Sequence, residues 1–290
     1  MGKEVASNMF ISPMLLTPTD TPITSADYIV EPKIDGIRMI SSKTKTETRL
    51  WTRHHTEITR QFPELWSIPI KEDAVLDGEL AFYNDGNFDF ETVMDRFRLQ
   101  RKERINQFAL NRPCQYIVWD ILLYKGQDLR SLPLMKRKEI LHSVLSPHKL
   151  ITPVLYLDGM FGSKLADETK KRNMEGVTFK RKNSTYKSGR HKEWMKLVHY
   201  KTAEVIIGGY RKEKFGWLLR HPETLEPLGI MELGTNSEDR KRFAQQSKPL
   251  ITGEDSKYVY IEPSIRIRVK FPRYSRNGYL RTPSFQEFIS

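Results

Sequence analysis

The sequence predicts an α+β protein built from two domains. Short apolar or alternating segments, which are typical of strands, outnumber helical segments along the chain. The two kinds do not alternate regularly, as they would in a doubly wound parallel sheet. The 290 residues suffice for a large and a small domain. We place the boundary where strand-like segments become dominant, which gives domains of residues 1–200 and 201–290.

Strands form most of the first predicted domain. Each strand segment combines β-branched or aromatic residues with an apolar run or an alternation, and turn-forming residues separate several of them. In chain order these segments are YIVEPKI, MISSKTK, TRLWTR, AVLDGELAFY and CQYIVWDILLY.

Helical segments are fewer in this domain. The segment FDFETVMDRFRLQRKERI is predicted to form one helix with a basic outer face. The segment SLPLMKRKEILHSVL carries apolar residues at spacings of three and four, and we expect Ser131 to cap this helix. A third helix is predicted in SKLADETKKRN, beginning at Ser163.

The second domain is predicted to be a small barrel. Several of its segments are strand-like, among them AEVIIGGY, GWLLRHP, PLGIMELG and YVYIEPSIRIRVKF. A single helix is predicted among them in SEDRKRFAQQ. Five short strands and one helix within about 90 residues suit a Greek-key barrel of the oligonucleotide-binding (OB) type.

Basic residues exceed acidic ones. Lys and Arg total 48 against 36 Asp and Glu, so the formal net charge is +12. This excess favours a polyanionic partner such as nucleic acid. Because the basic residues are spread along the chain, we expect a folded surface rather than a charged tail to bind that partner.

Cysteine content and hydropathy indicate the compartment. The single cysteine, Cys114, excludes an intramolecular disulfide and a cysteine-rich zinc site, and we expect it to be a packing residue. Residues 1–16 lack the apolar core and cleavage site of a signal peptide, and no apolar run reaches the roughly 18 residues of a membrane span. A cytoplasmic protein without membrane attachment is predicted.

The pattern K-x-D-G-x-R, formed by Lys33, Asp35, Gly36 and Arg38, lies at the end of a predicted strand. A lysine is a covalent nucleophile only when its amine is neutral, which requires burial or cationic neighbours that lower its pKa. We expect the strand end and the nearby basic residues to supply both. The alternative is a solvated lysine in a hairpin turn closed by Asp-Gly.

Two further strands carry candidate ligand contacts. Glu79 lies in the apolar segment LDGEL, where a buried carboxylate needs a cation or a hydroxyl group beside it. An outward-facing glutamate in a hairpin is the alternative. Trp119 lies in VWDILLY and has a face on which a base could stack, although core packing is the commoner role of such a tryptophan.

Residues 175–201 combine carboxylates with many cations. Glu175 precedes a strand that contains Lys180, a basic loop continues to Arg190, and Lys196 lies in the next short strand. A triphosphate with a divalent cation requires this combination, because phosphates bind cationic donors and the metal binds oxygen ligands. A solvated basic loop is the alternative and does not explain the isolated Glu175.

Five segments together resemble the nucleotidyltransferase motifs of ATP-dependent DNA ligases: KIDGIR, LDGEL, IVWDILLY, EGVTFK and EWMKL, in the same order and at similar spacing. The likeness is greatest to the ligase domain of bacterial end-joining ligase and polymerase proteins and to small bacterial and phage ligases. It implies an adenylation domain of antiparallel sheets and helices, followed by an OB-fold domain.

The resemblance also implies a reaction. Lys33 would attack the α-phosphate of ATP and form a lysyl-AMP, with Mg²⁺ or Mn²⁺ bound. The AMP would pass to the 5′-phosphate of nicked double-stranded DNA, and the 3′-hydroxyl would then displace it. We expect a cytoplasmic, nucleoid-associated monomer acting in DNA repair, recombination or replication, with a DNA-end-binding or repair protein as a further partner.

Several residues match positions that contact the nucleotide in this family. The resemblance implies that Glu31 contacts the adenine and that Trp119 stacks on it. Arg38 and Arg53 would contact the nucleotide or the 5′-phosphate of the nick. Glu79 would meet the ribose or a metal-bound water.

The remaining matches concern phosphates and metal. Glu175 would help to hold the divalent cation, and Arg190 and Lys196 would reach the phosphates. Arg281 in the second domain would contribute to the first step. Many relatives carry a second lysine where this chain has Val198, so the contact with the α-phosphate is expected either to be weaker or to come from Lys180 or Lys201.

Two alternatives compete with a DNA ligase. The first is another enzyme of the same chemistry, an RNA ligase or a capping guanylyltransferase, which shares the lysine motif. The second is a non-catalytic nucleic-acid-binding protein on a ligase scaffold, which the net charge and the replacement at Val198 would permit.

Overall fold

The computed structural model describes residues 9–84 and 86–289. The chain divides between Val198 and His199 into two compact units. The first eight residues of the segment searched for a signal peptide lie outside the described residues. In the part of the chain that is described, no helix is long and apolar enough to cross a membrane.

The first unit contains most of the strands and four of the helices in the described residues. Its strands are β1 (Met14–Pro18), β2 (Tyr28–Pro32), β3 (Ile37–Lys43), β4 (Thr48–Thr52), β5 (Ala74–Ala81), β6 (Tyr83–Asn84), β7 (Asn87–Phe88), β8 (Gln115–Tyr124), β9 (Gln127–Asp128), β10 (Ile151–Pro153), β11 (Leu157–Asp158), β12 (Gly176–Arg181) and β13 (Gly189–Val198). Its helices are α1 (Phe90–Phe97), α2 (Lys102–Asn111), α3 (Leu134–Val144) and α4 (Gly162–Lys171), with 3₁₀ turns at Thr59–Gln61, Pro63–Leu65 and Gly159–Phe161.

Two sheets organise the first unit. The first sheet has the strand order β1-β13-β12-β2-β11, in which β1 and β13 run parallel and the other neighbours antiparallel. The second sheet has the order β10-β8-β5-β3-β4, and β9 pairs with β8. The five predicted strand segments form β2, β3, β4, β5 and β8, so those predictions are confirmed.

The end of β2 is fixed against the start of β12. Pro32 ends β2 and has no backbone N–H to continue the ladder. The next residue, Lys33, donates its backbone N–H to the carbonyl oxygen of Gly176 at 2.9 Å. Gly176 has φ 148°, and a Cβ atom there would lie 2.0 Å from the carbonyl oxygen of Leu197. The start of β12 is therefore bound to the end of β2 on one side and packs against β13 on the other as closely as only a glycine allows.

The single helix predicted over FDFETVMDRFRLQRKERI is wrong, because the structure has α1 and α2 separated at residues 98–101. Arg96, near the end of α1, is fully buried and binds Glu64 and the carbonyl oxygen of Ile105 in α2. A buried guanidinium requires such partners around it. The chain turns between the two helices, which brings Ile105 back to Arg96.

The predicted cap at Ser131 is also wrong. Helix α3 begins at Leu134, and its N-cap, Pro133, provides no side-chain hydrogen bond. Proline disfavours the helical conformation of the preceding residue, so the helix does not reach back to Ser131. Carbonyl oxygens of Lys182 and Ser184 accept the first amide hydrogen bonds of α3 instead. The predicted start of the next helix at Ser163 is one residue late.

Each unit has its own apolar core. In the first unit the second sheet packs on a large cluster that includes Phe62, Leu76, Val118 and Leu141. Cys114 is fully buried in this cluster, as predicted for a packing residue, and burial raises the pKa of its thiol to about 12.

The second unit is a strongly bent antiparallel sheet with one α-helix in the described residues. Its strands are β14 (Lys201–Arg211), β15 (Trp217–Arg220), β16 (Pro227–Met231), β17 (Ile251–Glu254), β18 (Tyr258–Phe271) and β19 (Ser284–Phe288), with α5 (Ser237–Ser247) and a 3₁₀ turn at Lys248–Leu250. The strand order is β16-β15-β14-β18-β17, and β19 pairs with β18. The described residues thus form six strands, one more than predicted. Irregular register near Gly209 bends β14 between its two partners.

Gly78 provides a test of the central packing in the second sheet. It lies in β5, where a Cβ atom would be 2.3 Å from the carbonyl oxygen of Ile117 in β8. We expect Gly78→Ala to lower the free energy of unfolding by about 1–3 kcal/mol or more, because the strands would have to separate. Gly253→Ala in β17 is the control, since its Cβ would meet nothing within 4 Å. Thermal melting measures both, and equal effects would contradict the packing described.

Candidate active site

The Lys33 amine lies beside a carboxylate at the junction of β2 and β12. Its Nζ atom is 2.8 Å from Oε2 of Glu175, the residue before β12. Both side chains are mostly buried, with 17% and 16% of their surfaces exposed. Backbone and side chain of Lys33 therefore both bind the start of β12.

The pKa of Lys33 is raised, which contradicts the expectation that cationic neighbours lower it. Burial lowers this pKa, but the carboxylates of Glu175, Glu79 and Asp35 together outweigh burial and raise it. The sequence places basic residues near Lys33 along the chain, whereas folding brings carboxylates closest to its amine. The lysine is therefore an ammonium in this state and has to lose a proton before it can act as a nucleophile.

For Glu79, burial rather than a neighbouring charge is the largest cause of the pKa shift. It lies in β5 opposite Arg38 of β3. Burial raises the pKa of Glu79 to about 8; Lys33 and Arg38 lower it, whereas Glu175 and Asp35 raise it further. Glu79, Glu175 and Asp35 therefore form an acidic group around the Lys33 amine, and additional positive charge would stabilise their ionised forms.

The carboxylates around Lys33 suit Mg²⁺ or Mn²⁺ bound together with substrate phosphates better than they suit a metal coordinated by protein side chains alone. Among the described residues no group of three or more His, Cys, Asp or Glu side chains is arranged to hold a metal ion. Glu79 and Glu175 both offer carboxylate oxygens, and Glu175 is close enough to Glu79 to raise its pKa further. Magnesium is typically held by one or two carboxylates together with substrate phosphates and water.

Arg38 is held by Asp77. Its Nε and one terminal nitrogen each lie 2.5 Å from an oxygen of the Asp77 carboxylate, and the hydroxyl group of Tyr186 donates to the same carboxylate at 2.7 Å. The Arg38 guanidinium also lies 4.6 Å from the ring centroid of Trp119. This predicted nucleotide contact is therefore a fixed, partly buried cation.

Lys196 lies close enough to Lys33, Arg190 and Arg53 to interact with each of them, and we call Lys196, Arg190 and Arg53 the cationic cluster. Burial lowers the pKa of Lys196; Lys33, Arg190 and Arg53 lower it further, whereas Glu175 raises it. Arg190 donates to the carbonyl oxygen of Leu16, and Arg53 follows β4. A group of cations of which one lies beside the Lys33 amine is suited to binding a polyphosphate.

Glu31 and Lys180 lie in a different environment from the cationic cluster. The two oxygens of the Glu31 carboxylate lie 2.6 Å from Nζ of Lys138 and 2.7 Å from Nζ of Lys180, and all three side chains are at most 3% exposed. Lys180 also lies 4.7 Å from the ring centroid of Trp119. The predicted adenine contact of Glu31 and phosphate contact of Lys180 stay predictions.

Trp119 is partly buried and packs against apolar residues, including Ile34 and Ile117. Its indole N–H is buried and has no hydrogen-bond partner in the described residues. The structure thus shows the packing role considered for this tryptophan, while base stacking stays a prediction.

Five further positions complete the comparison. Asp35 is 6% exposed, and a Cβ atom on Gly36 would lie 2.2 Å from the carbonyl oxygen of Leu80. Val198 pairs with Gly176 at the end of β13. Lys201 and Arg281 lie in the second unit.

The sequence interpretation missed Lys138, Asp77 and Tyr186. A signal for Lys138 was present, because Leu134, Arg137, Lys138 and Leu141 form the buried face of α3 at helical spacing. Cations on an apolar stripe indicate buried partners. Asp77 lies in the LDGEL motif and Tyr186 in the basic loop within residues 175–201, but roles were assigned only to neighbouring residues.

The family model for the ATP dependent DNA ligase domain matches residues 13–197 of this chain. The chain belongs to the ATP-dependent DNA ligase family. The predicted family and enzyme class are thereby confirmed, and the use of ATP follows from the family. The acidic group and the cationic cluster both lie within the matched range.

Individual ligases are also similar to this chain over most of its length. The SPbeta prophage-derived DNA ligase-like protein LigB of Bacillus subtilis is 37% identical over 97% of this chain and 99% of its own length. The DNA ligase of Thermococcus fumicolans is 30% identical over 88% of this chain, which spans half of that protein. A solved structure of a Lig E DNA ligase covers 97% of this chain, with 18% identity and a TM-score of 0.70. That likeness confirms the predicted fold, an adenylation domain followed by an OB-fold domain.

Glu79 should make the stability of the ligase pH-dependent. Its pKa is about 8 in the folded protein, compared with the ordinary value of 4.5 for a glutamate, so the folded state binds more protons between these pH values. The stability that protonated Glu79 contributes is fully present below pH 4.5 and is lost as the pH rises to about 8. We expect Glu79→Gln to remove that loss, so the variant gains in melting temperature relative to the wild type as the pH rises.

The measurement is thermal melting from pH 5 to pH 8.5 in buffer containing a chelator. Glu47→Gln is the control, because Glu47 is an exposed carboxylate paired with Arg49. Parallel profiles for wild type and Glu79→Gln would show that burial does not perturb Glu79.

Proposed function

We propose that this ligase joins a 5′-phosphate to a 3′-hydroxyl at nicks in double-stranded DNA through a covalent lysyl-AMP. The supporting observation is the position of the Lys33 amine, which lies 2.8 Å from Glu175 and close to the cationic cluster. Cations beside a nucleophile favour attack on a phosphate, because they neutralise the charge that would repel it.

Three displacements at phosphorus complete the reaction. Nζ of Lys33, after losing a proton, attacks the α-phosphorus of ATP; an N–P bond forms and the bond to pyrophosphate breaks. An oxygen of the DNA 5′-phosphate then attacks the same phosphorus and releases the Lys33 amine. The 3′-hydroxyl finally attacks the DNA 5′-phosphate, loses its proton and releases AMP. Catalysis of such steps is mainly positioning and neutralisation of charge.

The cationic cluster is proposed to bind the phosphates of ATP and of the nick. Arg38, held by Asp77, would add a cation of fixed position near Trp119. Glu79 and Glu175 would hold Mg²⁺ or Mn²⁺, which supplies positive charge to the phosphates when bound.

The adenine contacts of Glu31 and Trp119 are proposed on the family resemblance. The roles of residues 1–200 as the adenylation domain and of residues 201–290 as the OB-fold domain, with Arg281 acting in the first step, are proposed on the same ground. We further propose a monomer that acts in the cytoplasm on nucleoid DNA, with a DNA-end-binding or repair protein as partner.

Self-adenylation tests the proposed nucleophile. Incubation with Mg²⁺ and α-labelled ATP should transfer label to the wild type and not to Lys33→Ala, because this variant lacks the proposed nucleophile. Lys136→Ala, which removes an exposed cation on α3, should label like the wild type. Absence of label in the wild type would contradict the proposed lysyl-AMP chemistry. Label in Lys33→Ala would contradict the assignment of Lys33 as the nucleophile.

The same preparation distinguishes the nucleic acid that is joined. Nicked duplexes made entirely of DNA should be sealed faster than duplexes with ribonucleotides on either side of the nick. Faster sealing of the ribonucleotide nicks would favour the RNA ligase alternative.

Binding to nicked DNA should weaken steeply with salt. The net charge of +12 and the cationic cluster imply several phosphate contacts, each of which releases counterions. We expect affinity to fall at least about 100-fold between roughly 50 and 200 mM salt. Fluorescence anisotropy with a labelled nicked duplex measures the change, and a flat profile would contradict binding through phosphates.

A further inference from the structure

Glu31 is a buried carboxylate held by two lysines from different elements. It lies on β2, two residues before Lys33, while Lys180 lies on β12 and Lys138 on α3. The two N–O distances are 2.6 Å to Lys138 and 2.7 Å to Lys180. We call these three residues the lysine-glutamate triad.

Lys138 connects the two sheets of the first unit. Its Nζ atom binds Glu31 on β2 of the first sheet and donates a hydrogen bond to the carbonyl oxygen of Trp119, on β8 of the second sheet, at 3.1 Å. The ammonium also lies 4.9 Å from the ring centroid of Tyr156. Its side chain is 2% exposed, so the contacts are shielded from water and salt.

Both sheets supply the candidate active site. The first sheet supplies Lys33 after β2, Glu175 before β12 and Lys196 on β13. The second sheet supplies Arg38 and Glu79. The distance between the sheets near β2 therefore sets where the Lys33 amine lies relative to the groups opposite it. A displacement of about 1 Å in such an arrangement can slow a reaction about 100-fold.

We infer that Lys138 is a positioning residue for Lys33, because it joins the end of β2 to β8 through Glu31 and the Trp119 carbonyl group. The inference rests on the proposed lysyl-AMP chemistry. Lys180 has a subordinate role, since its ammonium joins β12 to β2 within the first sheet, where backbone hydrogen bonds already connect them.

The triad carries one more positive than negative charge, and Lys180 shows the effect. Burial lowers the pKa of Lys180 to about 8; Glu31 opposes this shift, and Lys138 and Arg38 add to it. Burial raises the pKa of Asp120 on β8; Arg137 opposes this shift, and Lys180 is near enough to oppose it as well. Since Lys138 contributes to the low pKa of Lys180, the two ammonium groups are close enough to interact.

The kinetic test compares Lys138→Met, Lys180→Met and the exposed control Lys136→Met in single-turnover formation of the protein–AMP adduct. We expect Lys138→Met to lower the rate at saturating ATP at least about tenfold while the half-saturating ATP concentration changes less than about threefold, because the nucleophile is displaced and the phosphate contacts of the cationic cluster remain. Lys180→Met should slow the reaction less, and Lys136→Met should match the wild type.

Two kinetic outcomes would overturn the inference. One is a Lys138→Met rate equal to that of Lys136→Met. The other is a loss confined to ATP affinity, with an unchanged rate at saturation. Failure of the wild type to form any adduct would instead count against the proposed function.

A stability measurement tests the triad independently of catalysis. The pKa of Lys180 is lower in the folded protein than the ordinary lysine value of 10.5, so stability should rise with pH between 8 and 10.5. Removing the Lys138 charge should raise the pKa of Lys180 and flatten this rise in Lys138→Met, relative to Lys136→Met. An unchanged rise would contradict the coupling.

Lys138→Gln provides a second variant, since it keeps a hydrogen-bond donor without the charge. We expect its adenylation rate to lie between those of Lys138→Met and the wild type. If neither Lys138 variant folds, Lys138 would be a stability residue and the positioning role would be overturned.

Discussion

The ion pair between Lys33 and Glu175 is the contact on which the candidate site depends. It joins the residue after β2 to the residue before β12, and the backbone hydrogen bond from Lys33 to Gly176 fixes the same two strand ends. The pair also keeps the nucleophile protonated, since carboxylates raise its pKa. The proposed chemistry therefore requires the field at this amine to change. Lys196 belongs to a group of cations already close enough to interact with Lys33.

Buried ion pairs fix the surroundings of that contact. Arg38 is matched by Asp77, Arg137 by Asp120, and Glu31 by two lysines. Such pairs contribute little net stability, because desolvation offsets their attraction, but losing one partner leaves a costly unpaired charge. The first unit thus places charged groups at defined positions between its sheets, as catalysis by positioning requires.

Sequence patterns predicted the strands and the motif order well, because alternation and apolar runs are local properties. They failed where distant residues decide the outcome. Ser131 does not cap α3, since carbonyl groups of residues 182 and 184 take that role. The surroundings of Lys33 were predicted as cationic from neighbours along the chain, whereas Glu175 and Glu79 arrive from other strands. Lys138 was missed because no recognised motif contains it, although its position on the buried face of α3 was visible.

The most direct test of the account is a crystal structure of the ligase with an ATP analogue whose α,β-bridging oxygen is a methylene group. We expect Nζ of Lys33 to lie about 3–3.5 Å from the α-phosphorus, opposite the bridging group, with the cationic cluster on the phosphates. A bound nucleotide whose α-phosphorus is remote from Lys33, with the amine still paired to Glu175 and turned away, would contradict it.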